Sequence, residues 1–309
     1  MRRFITIAAA ILLSATASRA ETIGVTIAKF DTFQTLLRDG IANYAATVPG
    51  LTVDIQDAEG SYDKQVASIR SFIDAKVSAI IVGPVDGDRG TEITRMAVEA
   101  GIPLVYLNNE PINIDELPPS QTLVASDEKD AGLLQGREVC RLLGGKGRAV
   151  ILVGEYFHSA ARARTYWAKQ ALAEDDCKGI QVVEQQSANW QRDLAQKQMK
   201  EWLDHGVRFD AVLANNDDMA LGAIRAIKDF GRPVDNVVVA GVDATQDALA
   251  AMVAGDLDTT VLQSAVGQGE GSVKAALRLI KGETLDKRIY VPFELVTKNN
   301  LSQYLPKSQ

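Results

Sequence analysis

Short apolar runs alternate with longer amphipathic stretches along nearly the whole 309-residue chain. We predict strands at residues 23–28, 52–55, 79–83, 103–107, 123–125, 149–154, 181–184, 211–214, 237–242, 259–262 and 290–295. We predict helices at residues 33–46, 62–74, 89–100, 128–143, 160–174, 191–204, 219–230, 245–254 and 266–281. Because the strands are almost continuously apolar and are separated by helices, the pattern predicts an α/β fold with parallel sheets covered on both faces.

The chain contains more strand–helix units than one doubly wound sheet comfortably holds. The first half of the sequence has the same rhythm as the second, which indicates two similar α/β domains. No long Gly/Ser-rich or Pro-rich linker separates the halves. Short connections between two such domains are typical of a hinge over a cleft.

The N-terminus has the pattern of a secretory signal peptide. Two arginines precede an apolar run at residues 4–13, and Ser18 and Ala20 occupy the small positions of an A-x-A-like cleavage site. The apolar run is too short for a membrane-spanning helix, which needs about 20 apolar residues. We therefore expect export, with cleavage after Ala20 and Glu21 as the first residue of the mature protein.

The charge balance is acidic. The sequence has 33 basic and 40 acidic residues, a formal net charge of −7 at pH 7, and loss of the signal peptide removes three of the arginines. A chain this acidic, without a basic cluster, is a poor nucleic-acid binder. We expect no nucleic-acid partner.

Cys140 and Cys177 are the two cysteines of the chain. Export takes both into an oxidising compartment, where a disulfide can persist. Cys140 lies near the end of one predicted helix and Cys177 just past the end of the next, so the two can meet if those helices pack side by side. We predict a disulfide between them, and two small buried thiols are the alternative.

Polar side chains follow two predicted strands in the second half of the chain. Amides and carboxylates at residues 215–218 follow the strand at 211–214, and Asp243 follows the strand at 237–242. Ligands of open α/β sheets bind in the crevice beyond the carboxyl ends of the strands. These residues therefore predict a polar ligand site, although Asp217 and Asp218 are expected only to cap the next helix.

Motifs of common enzyme classes are missing from the sequence. The two histidines form no metal triad and the cysteines are not arranged as CxxC. Residues 144–147, GGKG, lack the spacing and the Ser/Thr of a phosphate-binding loop. Residues 215–218 could hold a divalent ion as in a nucleotide-sugar transferase, but phosphate-binding residues are not evident nearby. We expect no enzymatic activity, no cofactor and no metal.

Seven short motifs follow one another over almost the whole mature chain. They are IGVTIAKFDTF from residue 23, YLNNEP at 106–111, HSAARAR at 158–164, ANW at 188–190, ANNDDMALGA at 214–223, GVDAT at 241–245 and TVLQ at 260–263. Each motif alone is weak. In this order they resemble periplasmic sugar-binding proteins of the ribose and galactose/glucose type, which are the receptors of ABC importers.

The resemblance implies two similar doubly wound parallel-sheet domains joined by a three-stranded hinge. It places the signal peptide at 1–20, the N-terminal domain at 21–125 plus 264–291, and the C-terminal domain at 126–263 plus 292–309. The hinge crossings are expected near Ala125, Gln263 and Val291. The resemblance also implies a monomer in the periplasm that delivers a small ligand to a membrane permease.

The same resemblance implies a set of ligand-binding residues. They are Asp31, Phe33, Asn108, Asn109, His158, Arg164, Trp190, Asn216, Asp243 and Gln263. Carboxylates, amides and guanidinium groups exchange hydrogen bonds with hydroxyls, and two aromatic rings can sandwich the C–H faces of a sugar-like ring. Phe33 could instead be a core residue of its helix, and Asp243 a helix cap.

Departures from the galactose/glucose motifs point to a different ligand. Asn109 replaces the lysine of FNKEP, Ala160 replaces the sugar-binding aspartate of HPDAEAR, and the calcium-binding loop has no counterpart. Together with YVPFELV at 290–296, these features resemble inositol- and rhizopine-binding receptors. We predict myo-inositol or an amino-inositol as the ligand, with galactose, glucose or ribose as the alternative.

Two other protein classes share this kind of sequence. A transcriptional regulator of the lac-repressor type would begin with a helix-turn-helix, but here Ile23 already begins the first strand. A ligand receptor that feeds a chemotaxis or sensor-kinase pathway is a further alternative. Only its surface residues would distinguish it from the receptor of a transporter.

Overall fold

The computed structural model describes residues 21–305, so the predicted signal peptide lies outside the described residues. The strands are β1 (Glu21–Ile27), β2 (Leu51–Asp57), β3 (Ala79–Val82), β4 (Leu104–Leu107), β5 (Gln121–Ala125), β6 (Lys146–Val153), β7 (Gly179–Ser187), β8 (Ala211–Ala214), β9 (Val238–Ala240), β10 (Thr259–Leu262), β11 (Arg288–Tyr290) and β12 (Glu294–Thr297). The helices are α1 (Thr32–Ala46), α2 (Tyr62–Asp74), α3 (Gly90–Ala100), α4 (Glu128–Leu143), α5 (Ser159–Leu172), α6 (Arg192–Asp204), α7 (Asp217–Asp229), α8 (Gln246–Ala254) and α9 (Ala265–Ile280). Among the described residues, no helix has the length and apolarity needed to cross a membrane.

These strands form two six-stranded sheets. The first has the order β11-β5-β4-β3-β1-β2 and the second has the order β12-β10-β9-β8-β6-β7. All pairings are parallel except that of β10 with β12. The predicted class of two α/β domains with parallel sheets is confirmed.

Each sheet separates two apolar cores, which explains the unbroken apolar character of its strands. The first sheet packs against α1 and α9 on one face and against α2 and α3 on the other. The second packs against α6, α7 and α8 on one face and against α4 and α5 on the other. Strands such as β3 and β8 are buried at every position.

The predicted strand at 290–295 is wrong as a single strand. The structure has β11 in the first sheet and β12 at the antiparallel edge of the second, with Val291, Pro292 and Phe293 between them. Proline has no N–H to donate to a strand ladder, so strand pairing stops at Pro292. The second sheet is therefore mixed at this edge and not purely parallel.

The chain passes from one sheet to the other three times, at residues 126–127, 263–264 and 291–293. After β5 the chain enters α4, which packs on the second sheet, and after β10 it enters α9, which packs back on the first. The third passage joins β11 to β12. Three short segments therefore connect the two halves of the molecule.

Cys140 and Cys177 are joined by a disulfide, as predicted. Helices α4 and α5 pack side by side, and this brings the end of α4 next to the segment that follows α5. The approach is close at Gly132, where a Cβ would lie 2.6 Å from the carbonyl oxygen of Arg164. The helix packing that fixes the disulfide thus also holds α5, which carries part of the site described below.

Candidate ligand-binding site

A cavity of about 140 Å³ lies between the two sheets, beyond the carboxyl ends of their strands. The strand order reverses between β1 and β3 in the first sheet and between β6 and β8 in the second. Residues that follow β1 and β6 line the cavity from opposite sides. Such reversal points are where open α/β sheets bind ligands, so the fold places a candidate site here.

Nine of the ten predicted site residues line this cavity. They are Asp31, Phe33, Asn108, His158, Arg164, Trp190, Asn216, Asp243 and Gln263. Asn109 does not reach it. The residue is only 2% exposed, its Nδ2 donates to the carbonyl oxygen of Pro84 (3.2 Å), and its Oδ1 accepts from Ser159 Oγ (2.7 Å). The amide of Asn109 therefore ties the first half of the molecule to α5, and its prediction as a ligand contact is corrected.

Arg164 is the buried centre of the site, with 4% of its side chain exposed. Its Nε and Nη2 donate to the two carboxylate oxygens of Glu128 (2.5 and 3.1 Å), Nη1 donates to the Asn215 carbonyl (2.7 Å), and Nη2 donates to Gln263 Oε1 (3.1 Å). Four of the five guanidinium N–H groups are thereby used within the protein. Burial lowers the pKa of Arg164, but the neighbouring carboxylates outweigh this and raise it. The remaining N–H on Nη1 is left for the Asp243 side of the cavity.

Asp243 presents a buried carboxylate to the cavity. The residue is 7% exposed, and its Oδ1 lies 3.7 Å from Arg164 Nη1. Among residues 21–305, no group donates a hydrogen bond to its carboxylate. Burial raises the pKa of Asp243 well above its usual value, while the charge of Arg164 opposes that rise. A carboxylate that is desolvated but not hydrogen-bonded is ready to accept hydrogen bonds from a ligand.

Asp217 lies behind Asp243 and has a structural task. Its carboxylate accepts hydrogen bonds from the backbone N–H of Thr245 (2.8 Å), from Thr245 Oγ1 (3.3 Å) and from Thr260 Oγ1 (2.6 Å). The cap of α7 is Asn216, whose Oδ1 accepts from the N–H of Met219 (3.0 Å). The expectation that Asp217 caps this helix is therefore wrong, since the residue holds the segment that follows β9 and carries Asp243.

Trp190 is held at the cavity by its backbone and by Gly154. Its φ is +65°, and a Cβ on Gly154 would lie 2.2 Å from the indole ring. The His158 ring meets the indole edge to face, with ring centroids 5.3 Å apart. Phe33 lines the cavity from the opposite side, on the first turn of α1. One aromatic face therefore comes from each side of the cleft.

His158 is a neutral hydrogen-bonding group. Burial, together with the charges of Arg164 and Arg162, lowers the pKa of His158 to about 3. Its Nδ1 accepts from the backbone N–H of Ala160 (3.2 Å), which caps α5. The proton of the neutral ring is therefore on Nε2, which remains available as a donor. We expect no histidine titration at the site between pH 5 and 8.

Hydrogen bonds connect the cavity to the segments between the sheets. Asn108 Oδ1 accepts from Gln34 Nε2 (3.1 Å), and Asn108 Nδ2 donates to Gln268 Oε1 (3.2 Å). Gln268 Nε2 in turn donates to Ser126 Oγ (2.9 Å), in the first connecting segment. Gln263, in the second connecting segment, lines the cavity directly. The lining of the cavity is thus linked to the first connecting segment by hydrogen bonds, and it includes a residue of the second.

Unusual backbone geometry is concentrated at this site. Seven non-glycine residues in the described chain have positive φ, and four of them line the cavity: Asn108, Asn189, Trp190 and Asp243. Positive φ is rare for residues with a side chain and is most unusual for a bulky one such as Trp. Its concentration around one cavity indicates that packing holds these groups in place for a function.

Several groups that the structure places at the site were not predicted from the sequence. Lys29, Gln34, Glu155, Phe157, Asn189 and Gln191 also line the cavity. Lys29 and Glu155 follow β1 and β6 within two residues, so the strand-end rule that identified Asp243 could have found them. Glu128 had no such signal, because its partner Arg164 is 36 residues away.

Comparisons with known proteins agree with the fold. Residues 23–284 match the periplasmic binding protein domain. The chain belongs to the periplasmic binding protein family. The "Putative rhizopine-binding protein" of Rhizobium meliloti is 54% identical over 309 residues, which cover all of both chains. The xylitol-binding protein of Mycolicibacterium smegmatis is 33% identical, over 93% of this chain and 80% of its own.

A solved structure is also similar to this periplasmic binding protein. It is an ABC transporter solute binding protein from Bacillus halodurans with bound myo-inositol. The TM-score is 0.88 and the identity is 40%, over 94% of this chain and 98% of the other. These relatives are named for the solutes they bind and not for a reaction.

This periplasmic binding protein is in a closed conformation, because side chains from the two halves meet around the cavity. Thr32 Oγ1 donates to Asp218 Oδ2 (2.7 Å), and Arg162 Nη2 lies 3.3 Å from Asp88 Oδ1. Asp218 is itself held by Arg192 (2.6 Å). All these contacts are exposed or partly exposed, so each contributes modestly to closure.

We expect loss of two cross-cleft contacts to favour the open form. In the double variant Thr32→Val, Arg162→Ala, ligand affinity should fall about 2- to 30-fold, because each exposed contact contributes roughly 0.2–1 kcal/mol to the closed state. Calorimetry measures the affinity, and small-angle scattering of the unliganded protein measures the radius of gyration, which should increase. Arg95→Ala, which removes an exposed pair within α3, is the control and should change neither. Equal affinity and equal radius in the double variant would show that these contacts do not stabilise closure.

Proposed function

We propose that this protein is a non-catalytic receptor of an ABC importer that captures one cyclitol molecule, such as myo-inositol or an amino-inositol, between its two halves. One observation carries the proposal: a cavity of single-ring size has an aromatic face and hydrogen-bonding groups on both sides. A cavity of about 150 Å³ holds benzene, so a volume of about 140 Å³ suits one six-membered ring and not a disaccharide.

The polar lining suits a ring that carries many hydroxyls. Asp243 supplies acceptors, Arg164 and His158 supply donors, and Asn216 can do either. Phe33 and Trp190 offer apolar faces to the C–H groups of the ring, which hydrogen bonds leave uncovered. A ring that satisfies groups from both halves binds the closed form best and therefore favours closure.

The presence of Ala160 in the cavity favours a cyclitol over an aldohexose as the ligand. Ala160 lines the cavity at the position where galactose/glucose receptors have a sugar-binding aspartate. Without that carboxylate, the site lacks one strong acceptor for the hydroxyls of an aldohexose. The relative named for rhizopine and the neighbour that holds myo-inositol point the same way.

We also propose that the protein is exported and that its two domains move relative to each other. Residues 1–20 act as a cleaved signal peptide, and the mature monomer works in the periplasm. Residues 21–125 with 264–291, and residues 126–263 with 292–309, move as two domains about the three connecting segments. The closed form then presents both domains to the membrane permease.

A thermal-shift screen followed by calorimetry tests the ligand class. The mature chain, residues 21–309, is heated with inositols, amino-inositols, aldohexoses and pentoses. At a concentration of about 100 times Kd, a cyclitol should stabilise the fold by roughly 2.7 kcal/mol and raise Tm by about 5–10 °C.

Two matched variants make the screen specific for the cavity. Asp243→Asn should remove most of the ligand-induced rise in Tm, because the cavity loses its buried carboxylate. Asp235→Asn removes an equal charge from an exposed position and should keep the full rise. A Tm rise confined to aldohexoses or pentoses, or none with any cyclitol, would contradict the proposed ligand class.

A further inference from the structure

Glu128 lies outside the cavity but contacts two residues that line it. Within residues 21–305, the lining of the cavity does not include Glu128. Its carboxylate accepts hydrogen bonds from Arg164 Nε (2.5 Å) and Nη2 (3.1 Å), and its Oε1 also accepts from Gln263 Nε2 (3.3 Å). Arg164 Nη2 donates to Gln263 Oε1 as well (3.1 Å). The three side chains therefore form a closed ring of hydrogen bonds, which we call the Arg164 triangle.

The Arg164 triangle reaches all three segments that connect the two sheets. Glu128 is the first residue after the segment at 126–127, and Gln263 belongs to the segment at 263–264. Phe293, in the segment at 291–293, lies against the guanidinium of Arg164, with its ring centroid 5.7 Å from Cζ. One buried guanidinium is therefore linked, directly or through Glu128, to every connection between the two halves.

The triangle is fixed to the half of the molecule that contains the second sheet. Arg164 Nη1 donates to the carbonyl oxygen of Asn215, directly after β8 (2.7 Å). Phe293 is buried in one apolar cluster with Ala131 and Val261. Movement of two domains about a hinge requires backbone rotation in the segments that connect them. Side chains that tie those segments to one domain restrict that rotation.

The charge of Glu128 keeps the guanidinium in this position. The side chain of Glu128 is 12% exposed and that of Arg164 is 4% exposed, and paired hydrogen bonds between such charged groups are strong. On the cavity side, Asp243 Oδ1 lies 3.7 Å from Arg164 Nη1. A buried guanidinium needs a carboxylate partner. Without the carboxylate of Glu128, we expect the guanidinium to turn toward Asp243 and away from the connecting segments.

We propose that Glu128 is a positioning residue that couples occupancy of the cavity to the hinge, because it holds Arg164 against the three connecting segments. The inference rests on the proposed function, since it explains how a bound ring favours the closed form. A ligand that bonds to the remaining N–H of Arg164 Nη1 fixes the guanidinium. Through the triangle it then restricts the segments at 126–127 and 263–264. Glu128 thus acts on ligand binding without touching the ligand.

Hydrogen exchange of the unliganded protein tests the positioning role without any ligand. In Glu128→Gln, backbone amides of the peptides that span the three connecting segments should exchange about 2- to 30-fold faster than in wild type. This range is typical of substitutions at residues that mediate coupling. Amides of β3, which is buried in the first sheet, should exchange as in wild type.

Two further variants separate positioning from general stability. Glu138→Gln is the matched control, because Glu138 lies near the other end of the same helix, is 6% exposed and pairs with Arg141 (2.7 Å). This variant should leave exchange at the connecting segments unchanged. Glu128→Asp keeps the charge and therefore the fold. Its shorter side chain should not reach both Arg164 and Gln263, so exchange at the connecting segments should rise here too.

Small-angle scattering and calorimetry measure the coupling to the ligand. With a saturating amount of the best ligand of the thermal-shift screen, the wild-type protein should have the radius of gyration of the closed form. Glu128→Gln should keep a larger radius at saturation and bind about 2- to 30-fold more weakly. A role in stability alone would lower Tm but leave the radius at saturation unchanged.

The outcomes separate this inference from the proposed function. Equal exchange at the connecting segments in wild type, Glu128→Gln and Glu128→Asp would overturn the positioning role, and so would an equal increase in Glu138→Gln. A wild-type radius for Glu128→Gln at saturation would overturn it as well. If no cyclitol binds the wild-type protein, the proposed function fails, and hydrogen exchange still decides the role of Glu128.

Discussion

Replacement of Arg164 by alanine should lower the free energy of unfolding by about 3–5 kcal/mol and abolish ligand binding. The guanidinium is the cation that the structure places against Glu128 and Asp243, and both of these carboxylates are largely buried. Removal of one partner of a buried ion pair leaves an uncompensated charge, and effects of this size are typical. Urea denaturation followed by circular dichroism measures the change in stability, and calorimetry measures binding.

Arg137→Ala is the matched control for this prediction. Arg137 pairs with Glu174 at 2.6 Å, a distance similar to that of the Arg164–Glu128 pair, but both side chains are about half exposed. An exposed ion pair contributes about 0–1 kcal/mol, so this variant should remain near wild-type stability. If the two variants lost the same small amount of stability, Arg164 would not be the charge centre of the site.

Substitution of Gly154 by alanine should weaken ligand binding about 30- to 1000-fold without adding or removing any hydrogen-bonding group. The new Cβ would lie 2.2 Å from the Trp190 indole, so the ring must leave its place beside the cavity. Loss of a central aromatic contact costs about 2–4 kcal/mol of binding free energy. Calorimetry with the best ligand of the thermal-shift screen measures the loss.

Two further variants test whether Trp190 carries this effect. Gly83 follows β3 in the first sheet as Gly154 follows β6 in the second, but a Cβ there would meet its nearest neighbours at 3.7 Å. Gly83→Ala should therefore bind normally. In a Trp190→Ala background, Gly154→Ala should cost little more, because the two substitutions remove the same contact. Additive losses would show that Gly154 acts by another route.

The order of strands and helices was predictable because burial on both sheet faces imposes long apolar runs. The misassigned strand at 290–295 has a similar apolar pattern, and only Pro292 marked the point where pairing moves from one sheet to the other. The local apolar pattern of a segment shows that the segment is extended. It does not show which sheet the segment joins, because that depends on contacts far away in the chain.

The site was predictable where its residues follow strands, and less so elsewhere. Asn109 follows Asn108 directly, yet only Asn108 lines the cavity, since Asn109 bonds to Ser159 across the cleft. Glu128 has the position of an ordinary acidic residue in the first turn of a helix. Its contact with Arg164 arises only when α4 and α5 pack together. Cross-cleft and helix-to-helix contacts therefore needed the structure.

We propose that a single cyclitol ring lies between Phe33 and Trp190 and is bonded by residues from both halves. A crystal structure of residues 21–309 grown with scyllo-inosamine or myo-inositol tests it most directly. We predict density for one ring in the cavity between the sheets, hydrogen-bonded to Asp243 and Arg164. A ring bound elsewhere, for example in the cavity near Trp167 and Tyr290, or touching one half alone, would contradict this prediction.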